Sequence, residues 1–289
     1  MKLVLSRKGF DSQYGGIASP ILPDGRLLPL PIPSLHDVDT MRDLGFEGDA
    51  LDTMLRDLSG NRWCSESRVH LDPQLSRPAG QRIAGWLPAL GQTGAAQGHL
   101  AAQGVGKGDL FLFFGWFREV ELCNGHWQYT RPRRDLHIMF GWLEVDQVMP
   151  IVRERGECIR RHRWIATHPH VANPIHYTDT RNTLYVAPET SRLARAAQAG
   201  GGYFPRLHDD LVLTGPGPNR STWRLPGWFT PRGRPPLSYH GQKGRWRRVG
   251  ANVELESVAK GQEFVLDCAF YPEARRWASN LVRRYHRES

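Results

Sequence analysis

Two stretches limit the fold more than any other feature of the chain. They are DLFLFFGWF (109–117) and LHIMFGWLEV (136–145). Each is apolar along its whole length, without the alternation that a strand with one wet face would show. Such runs read as strands buried on both faces, in the middle of a sheet. The polar link between them contains Asn124-Gly125, a pair suited to a tight hairpin turn. A sheet buried in this way needs covering layers, and 289 residues with 40% hydrophobic side chains and 10 tryptophans suffice to build them.

Further strands are expected at 183–187, 211–213, 252–256 and 263–267. Helices are expected within 40–58, over 189–199 and over 273–286. In the last, Trp277, Leu281 and Tyr285 recur every four residues while Arg275, Arg276, Arg283 and Arg284 take the outer face. The Gly/Ala-rich 91–108 reads as a lead into a turn before the first apolar strand. The expected fold is α/β (α+β): one mixed domain over residues 1–289, with a β-rich centre and peripheral helices. The aromatic strands, with their Gly-Asp entry, resemble those of small PUA- or ASCH-like barrels that hold modified bases.

No apolar run reaches the roughly 18 residues a membrane span requires, and no signal peptide is evident, so the expected setting is cytoplasmic, away from membranes. Cys64, Cys123, Cys158 and Cys268 are too scattered for a zinc knuckle or a disulfide framework, and no obligate protein partner is evident. The net charge of +9 and a pI near 9.7 favour a polyanion as partner. The charge concentrates in WFTPRGRPPLSYHGQKGRWRR (228–248). There Arg232, Arg234, Lys243, Arg245, Arg247 and Arg248 alternate with Trp228, Phe229, Tyr239 and Trp246, and no acidic residue intervenes. Its prolines and glycines predict a surface loop or ribbon that tracks a DNA backbone while an aromatic ring fills a gap. The opposing reading is a solvated basic loop with its tryptophans tucked into the core.

The usual cofactor motifs are missing. There is no GxxxxGK[ST] loop, no dinucleotide fingerprint around Gly200–Gly202, and no zinc-deaminase signature. His168-Pro-His170, with His176 and Asp179, has the residue types of a metal site. A proline between two histidines and the lack of a regular scaffold favour a polar loop instead. His70-Leu71-Asp72 is an H-x-D pair that a distant histidine would complete to a non-haem iron triad, a pattern weak on spacing alone. The expectation is therefore no metal and no cofactor.

The opening LSRKGFDSQYGG (5–16), with the Pro/Gly-rich run up to Pro33, poses a different question. A strand ends by presenting Arg7, Lys8, Phe10, Asp11, Ser12 and Tyr14 within eight residues. This stretch resembles the N-terminal signature of a bacterial family, nucleotide modification associated domain 3. Weaker echoes follow in HLDPQL (70–75), GDLFLFFGWFR (108–118), HIMFGWLEV (137–145) and GQEFVLD (261–267), whereas 228–248 has no counterpart. The family is grouped by association with enzymes of hypermodified, often phage, DNA bases, which implies a substrate class and leaves the reaction open.

The residues suit that class. Cations hold phosphate, rings stack on an extruded base, and a carboxylate orients water or stabilises an oxocarbenium ion. Base–sugar cleavage needs no cofactor. The expected function is thus a DNA glycosylase-like enzyme that excises a hypermodified base, such as a glycosylated hydroxymethyl-pyrimidine, from phage DNA in antiphage defence. A base-modifying transferase and a non-catalytic reader of modified bases are the alternatives. The expected catalytic residues are Asp11 and Lys8, with Asp72 and His70 in reserve. Phe10, Ser12, Tyr14 and Trp116 would bind the base, and Arg7 would join the cations of 228–248 on DNA.

Overall fold

The computed structural model describes residues 1–46, 48–77, 83–194, 198–259 and 261–286. The chain starts with β1 (Lys2–Arg7), β2 (Ser19–Ile21), α1 (Gly48–Ser59), β3 (Ala89–Gln92) and α2 (Gly94–Ala102). The two apolar runs follow as β4 (Leu110–Cys123) and β6 (Leu136–Glu144), with β5 (His126–Tyr129) between them. Next come β7 (Gln147–Pro150), α3 (Ile151–Arg161), the one-turn helices α4 (Pro169–Ala172) and α5 (Pro174–Tyr177), and β8 (Thr183–Val186). The chain closes with β9 (Gly201–Tyr203), β10 (Thr222–Pro226), β11 (Trp246–Val249), β12 (Asn252–Glu256), β13 (Glu263–Asp267) and α6 (Pro272–Tyr285).

The main sheet runs β13-β1-β4-β6-β9. β1 lies parallel to β4 and antiparallel to β13, and β4 lies antiparallel to β6. The fourteen-residue β4 is long enough to serve several neighbours in turn: β1 along Leu110–Phe114, β2 along Phe117–Glu119 and β5 at its tail. Its residues Leu110–Phe114 are essentially inaccessible, as is the whole of β6, which is why neither run alternates. Asn124 and Gly125 adopt positive φ and close the β4–β5 hairpin.

Mixed α+β architecture is observed, but the main sheet is open, with β9 and β13 at its edges, and does not close into a PUA-like barrel. Two smaller sheets, β10-β12-β11 and β3-β8-β7, account for the remaining strands. Strands β12 and β13 and helix α6 fall where the sequence places them. Among the described residues, 189–194 are not helical. The Glu144 carboxylate accepts from the backbone N–H groups of Arg192 and Leu193 and holds the segment as a loop, and 195–197 lie outside the described residues. Val212 makes one isolated bridge to Ile138, not a strand. The Gly/Ala stretch folds as the end of β3 followed by α2.

Three hydrophobic clusters result. One joins the main sheet to α6. A second lies beneath the first loop, around Phe10, Met54 and Leu55. The third packs β3, β7 and β8 against α3, Trp164 and Val171. The extended segment Val69–Leu75 runs beside the third. Gln74 bridges to Ala89 of β3, and Val69 bridges back to Pro33.

Candidate active site

Strand alternation divides the charged end of β1 between two sides. Ser6 and Lys8 point one way: Ser6 Oγ donates to Glu263 Oε1 at 3.0 Å, and Lys8 Nζ lies 3.3 Å from the same oxygen. Gln92 Nε2 donates to it as well, at 2.6 Å. Arg7 points the other way. Its guanidinium donates to the carbonyls of Ala259 and Val258, with the rings of Phe114 and Phe264 beside it. Both its forks are taken by backbone, so its geometry does not offer them to a DNA phosphate.

The first loop is closed upon itself. Asp11 Oδ1 accepts from the backbone N–H groups of Gln13 and Tyr14, both at 2.7 Å, an Asx turn. Phe10 is 1% exposed, so its ring is committed to the core against Trp63 instead of to a base. Gly15 has φ +84°, and a Cβ there would meet the Phe10 ring at 2.2 Å, so glycine lets the loop fold over that ring. Trp116 donates to Asp135 Oδ1 at 2.7 Å, and the Arg220 guanidinium covers its face at 4.3 Å. Arg220 also donates to Ser12 Oγ. Of the four expected base-binding residues, Ser12 and Tyr14 are exposed; the Ser12 hydroxyl is taken by Arg220, and the Tyr14 ring stands 55% exposed.

The basic ribbon also differs from the expected picture. Trp228 and Phe229 stack on each other and meet Trp277 of α6 edge-on, and Trp246 donates to the His240 carbonyl. The tryptophans are thus tucked in, and Tyr239 is the exposed ring. Arg234 donates to the carbonyls of Trp228, Thr230 and Phe270 over the Tyr271 ring, which makes it a structural pin. Arg245 donates to the Glu256 carbonyl and to Gln242, and Arg247 pairs with Glu254. Arg232, Lys243 and Arg248 are exposed.

On the Lys8 side the fold assembles a buried cluster of histidines and carboxylates. His70 and Asp72, two apart on the extended segment, contribute from one strand-like stretch. His168, His170 and His176 arrive with α4 and α5. The proline that counted against this segment is what organises it. Pro169 and Pro174 each occupy the first helical turn, where the missing N–H costs nothing, and His168 and Asn173 cap the two turns with their side chains. Asp179 sits apart, bound to the backbone of Arg181.

Second-tier hydrogen bonds orient the cluster. His70 Nδ1 donates to Asp37 Oδ2 at 2.9 Å, and Asn173 Nδ2 donates to Asp37 Oδ1 at 2.9 Å. His170 Nδ1 donates to Asn182 Oδ1 at 2.9 Å, since Asn182 Nδ2 is already donating to the His170 carbonyl at 2.7 Å. The Nε2 atoms of His70 and His170 then face each other at 3.2 Å. Asp72 Oδ1 accepts from Gly91 N–H at 2.7 Å and has His168 Nε2 at 3.4 Å, while Asp72 Oδ2 stands 3.9 Å from His170 Nε2. The His176 ring lies 4.7 Å from both the His70 and the His170 ring. Glycine is required at 91, because a Cβ would meet the His170 ring at 2.1 Å.

The electrostatics follow from burial and charge. Burial by itself would raise Asp72, but the His168 contact and the nearby His170 and Lys8 outweigh it and hold the carboxyl well below the usual carboxylate range. Burial pushes His170 far below an ordinary histidine, and His176 is lowered for the same reason. Asp37 is likewise held low: burial opposes ionisation, and donors from His70, Asn173 and Ser34 overcome it. A cleft of about 650 Å³, lined by Gln97, Arg153 and Arg181 among others, reaches Asn182, the residue that holds His170.

Of the four expected catalytic residues, Lys8, His70 and Asp72 come together here, and Asp11 does not. Asp37, His168, His170, Gln92 and Glu263 complete the surroundings. The family profile described as nucleotide modification associated domain 3 matches residues 2–267. The chain belongs to this family. The match of this nucleotide modification associated domain 3 protein spans the first loop, the His/Asp cluster and the ribbon 228–248 that had no counterpart in the sequence comparison above. No curated protein and no solved structure matches the chain. Among the described residues, no helix is long and apolar enough to cross a membrane.

Proposed function

We propose that this protein is an enzyme that hydrolyses the N-glycosidic bond of a modified base in DNA, with the His70–Asp72–His170 cluster as its reactive centre. Membership of a nucleotide-modification family supports the substrate class, and the net charge of +9 supports a polyanionic substrate. The observation that carries the reaction is Asp72: a buried carboxylate whose Oδ2, among the described residues, accepts no hydrogen bond and stands 3.9 Å from His170 Nε2. In base–sugar cleavage, positive charge grows on the deoxyribose as the C–N bond breaks, water adds at the anomeric carbon, and the base departs with a proton. A fixed anion in a dry site stabilises that charge strongly. Neutral imidazole nitrogens beside it provide the lone pairs that water activation requires.

The substrate on this reading is an extruded, hypermodified nucleotide of phage DNA, and the abasic product would serve defence against the phage. Exposed Arg232, Lys243 and Arg248 supply backbone contacts.

Mass spectrometry of bases released from modified and unmodified phage DNA tests the proposal. The modified base should appear free in solution and abasic sites should accumulate, with neither in Asp72→Asn. Intact DNA held tightly in a modification-dependent complex would replace this reading with that of a reader. A mass gain on the base that requires an added donor would replace it with a transferase.

A further inference from the structure

The two imidazoles at the centre of the cluster pose a problem of hydrogen-bond accounting. Each has its Nδ1–H committed to an oxygen acceptor, His70 to Asp37 and His170 to Asn182. In a neutral ring the other nitrogen is then a bare lone pair. Two such lone pairs face each other at 3.2 Å in a buried site, with Asp72 Oδ2, which accepts no hydrogen bond among the described residues, 3.9 Å from one of them. Three electron-rich atoms converge without a proton between them, and mutual repulsion makes that arrangement unfavourable unless a cation sits at the centre.

We propose that His70 Nε2, His170 Nε2 and Asp72 Oδ2 bind one divalent first-row transition-metal ion. Two nitrogens and one oxygen with no thiolate suit Fe²⁺, Mn²⁺, Co²⁺ or Zn²⁺ better than Mg²⁺ or Ca²⁺, which prefer all-oxygen shells. The donor atoms of this trio lie within 4.8 Å of one another. Donors on a shared ion at about 2.1 Å stand roughly 3.0–3.6 Å apart, so the imidazole pair already has the spacing, and Asp72 Oδ2, 3.9 Å from His170 Nε2, has a short way to close.

The outer tier matches as well. Metal-bound histidines characteristically donate their second N–H to a carboxylate or carbonyl, and both do so here. Asp37 is itself held by Asn173. Asp72 Oδ1 is anchored by Gly91 N–H, which leaves Oδ2 for the ion. His176, half-buried beside both rings, flanks the site. The inference deepens the hydrolytic reading by naming the group that would activate water. Its geometry stands apart from that reading. The competing account is a proton shared by the two Nε2 atoms, making one ring a cation between Asp37 and Asp72.

Protein stripped with EDTA and dialysed is titrated with Co²⁺ and, separately, with Mn²⁺ and Zn²⁺. Binding is followed by calorimetry, by the visible Co²⁺ bands and by melting temperature. One equivalent should bind, with d–d bands and a melting temperature that rises with metal concentration. His170→Ala should abolish all three signals. Because that buried substitution can also unfold the protein, Asp37→Asn provides a second reading: circular dichroism unchanged without metal, and affinity weaker by about 10- to 100-fold. His126→Gln, an exposed histidine on β5, should change nothing. Absence of bands and of a melting shift up to millimolar Co²⁺ overturns the inference in favour of the shared proton, and so does stoichiometric binding indifferent to both variants. Base release is assayed separately: metal bound without base release sinks the hydrolytic reading alone, and undiminished release by metal-free protein removes the ion from the reaction.

Discussion

The first loop and the histidine–carboxylate cluster look opposite in sequence and in space. The loop is dense in reactive side chains over eight residues, yet folding uses them on one another: Asp11 closes a turn, Phe10 fills a core, Arg7 binds carbonyls and Ser12 receives Arg220. The cluster is thinly spread from Asp37 to His176, yet folding brings its atoms within hydrogen-bonding or ion-binding distance and commits only their outer nitrogens and oxygens. Local density of functional groups therefore measures how well a segment can satisfy itself. Chemistry requires groups left incompletely satisfied, and these come from separate elements forced together by the core.

The widest separation between the two regions should appear in turnover. Asp72→Asn is expected to lower base release by about 10²- to 10⁴-fold with DNA binding retained. Asp11→Asn should stay within a few-fold, because an amide oxygen can still accept from Gln13 and Tyr14. Side-by-side single-turnover assays decide it, and a collapse in Asp11→Asn with normal Asp72→Asn would reverse the assignment.

Packing gives the next largest contrast. Gly91→Ala places a methyl into the His170 ring, and a loss of about 3 kcal/mol in urea unfolding is expected, with metal affinity reduced as well. Asp11→Ala should cost only about 1 kcal/mol, the scale of a turn's hydrogen bonds. Equal costs would mean that the cluster has room to relax.

Acid tests the loop's side of the sheet through His137. Burial, aided by Arg7 and Arg220, holds this histidine neutral well below its ordinary range, and its Nδ1 accepts from Trp223 Nε1 at 3.0 Å. Its folded pKa is thus lower than its unfolded one. The stability it contributes is present above about pH 6.5 and lost as pH falls below that value. Melting temperature should decline from about pH 6.5 downward, and His137→Gln should flatten the decline. An unaltered slope in that variant would move the acid sensitivity to other buried histidines, such as His240.

The smallest effect concerns the ribbon. Replacing Arg232, Lys243 and Arg248 by Ala should flatten the salt dependence of log affinity for DNA by about 2 to 3 units, with preference for modified base intact. Replacing Arg245 and Arg247 should change that slope less, since both are already paired. The reverse ranking would show that those pairs open on DNA.

What the chain declared on its own was whatever is set by neighbours in sequence. Unbroken apolar runs marked β4 and β6 as central, four-residue periodicity marked α6, and the opening motif pointed to the family. Each is a local pattern, because strand and helix periods repeat within a few residues. Helix α2 escaped notice since its Gly/Ala composition carries no amphipathic stripe, and the barrel failed since closure depends on strand register at the sheet's edges. The cluster was visible as His70-x-Asp72 and His168-Pro-His170, but Pro169 read as a breaker until the structure showed it opening a helical turn. Only the tertiary structure joined these two pieces. Pairing of Gln74 with Ala89 sets the register of the 70–72 segment beside β3, and packing of Val171 in the third cluster carries His170 against Gly91. Contacts between residues a hundred positions apart follow from how a core fills its volume, and no local period encodes that.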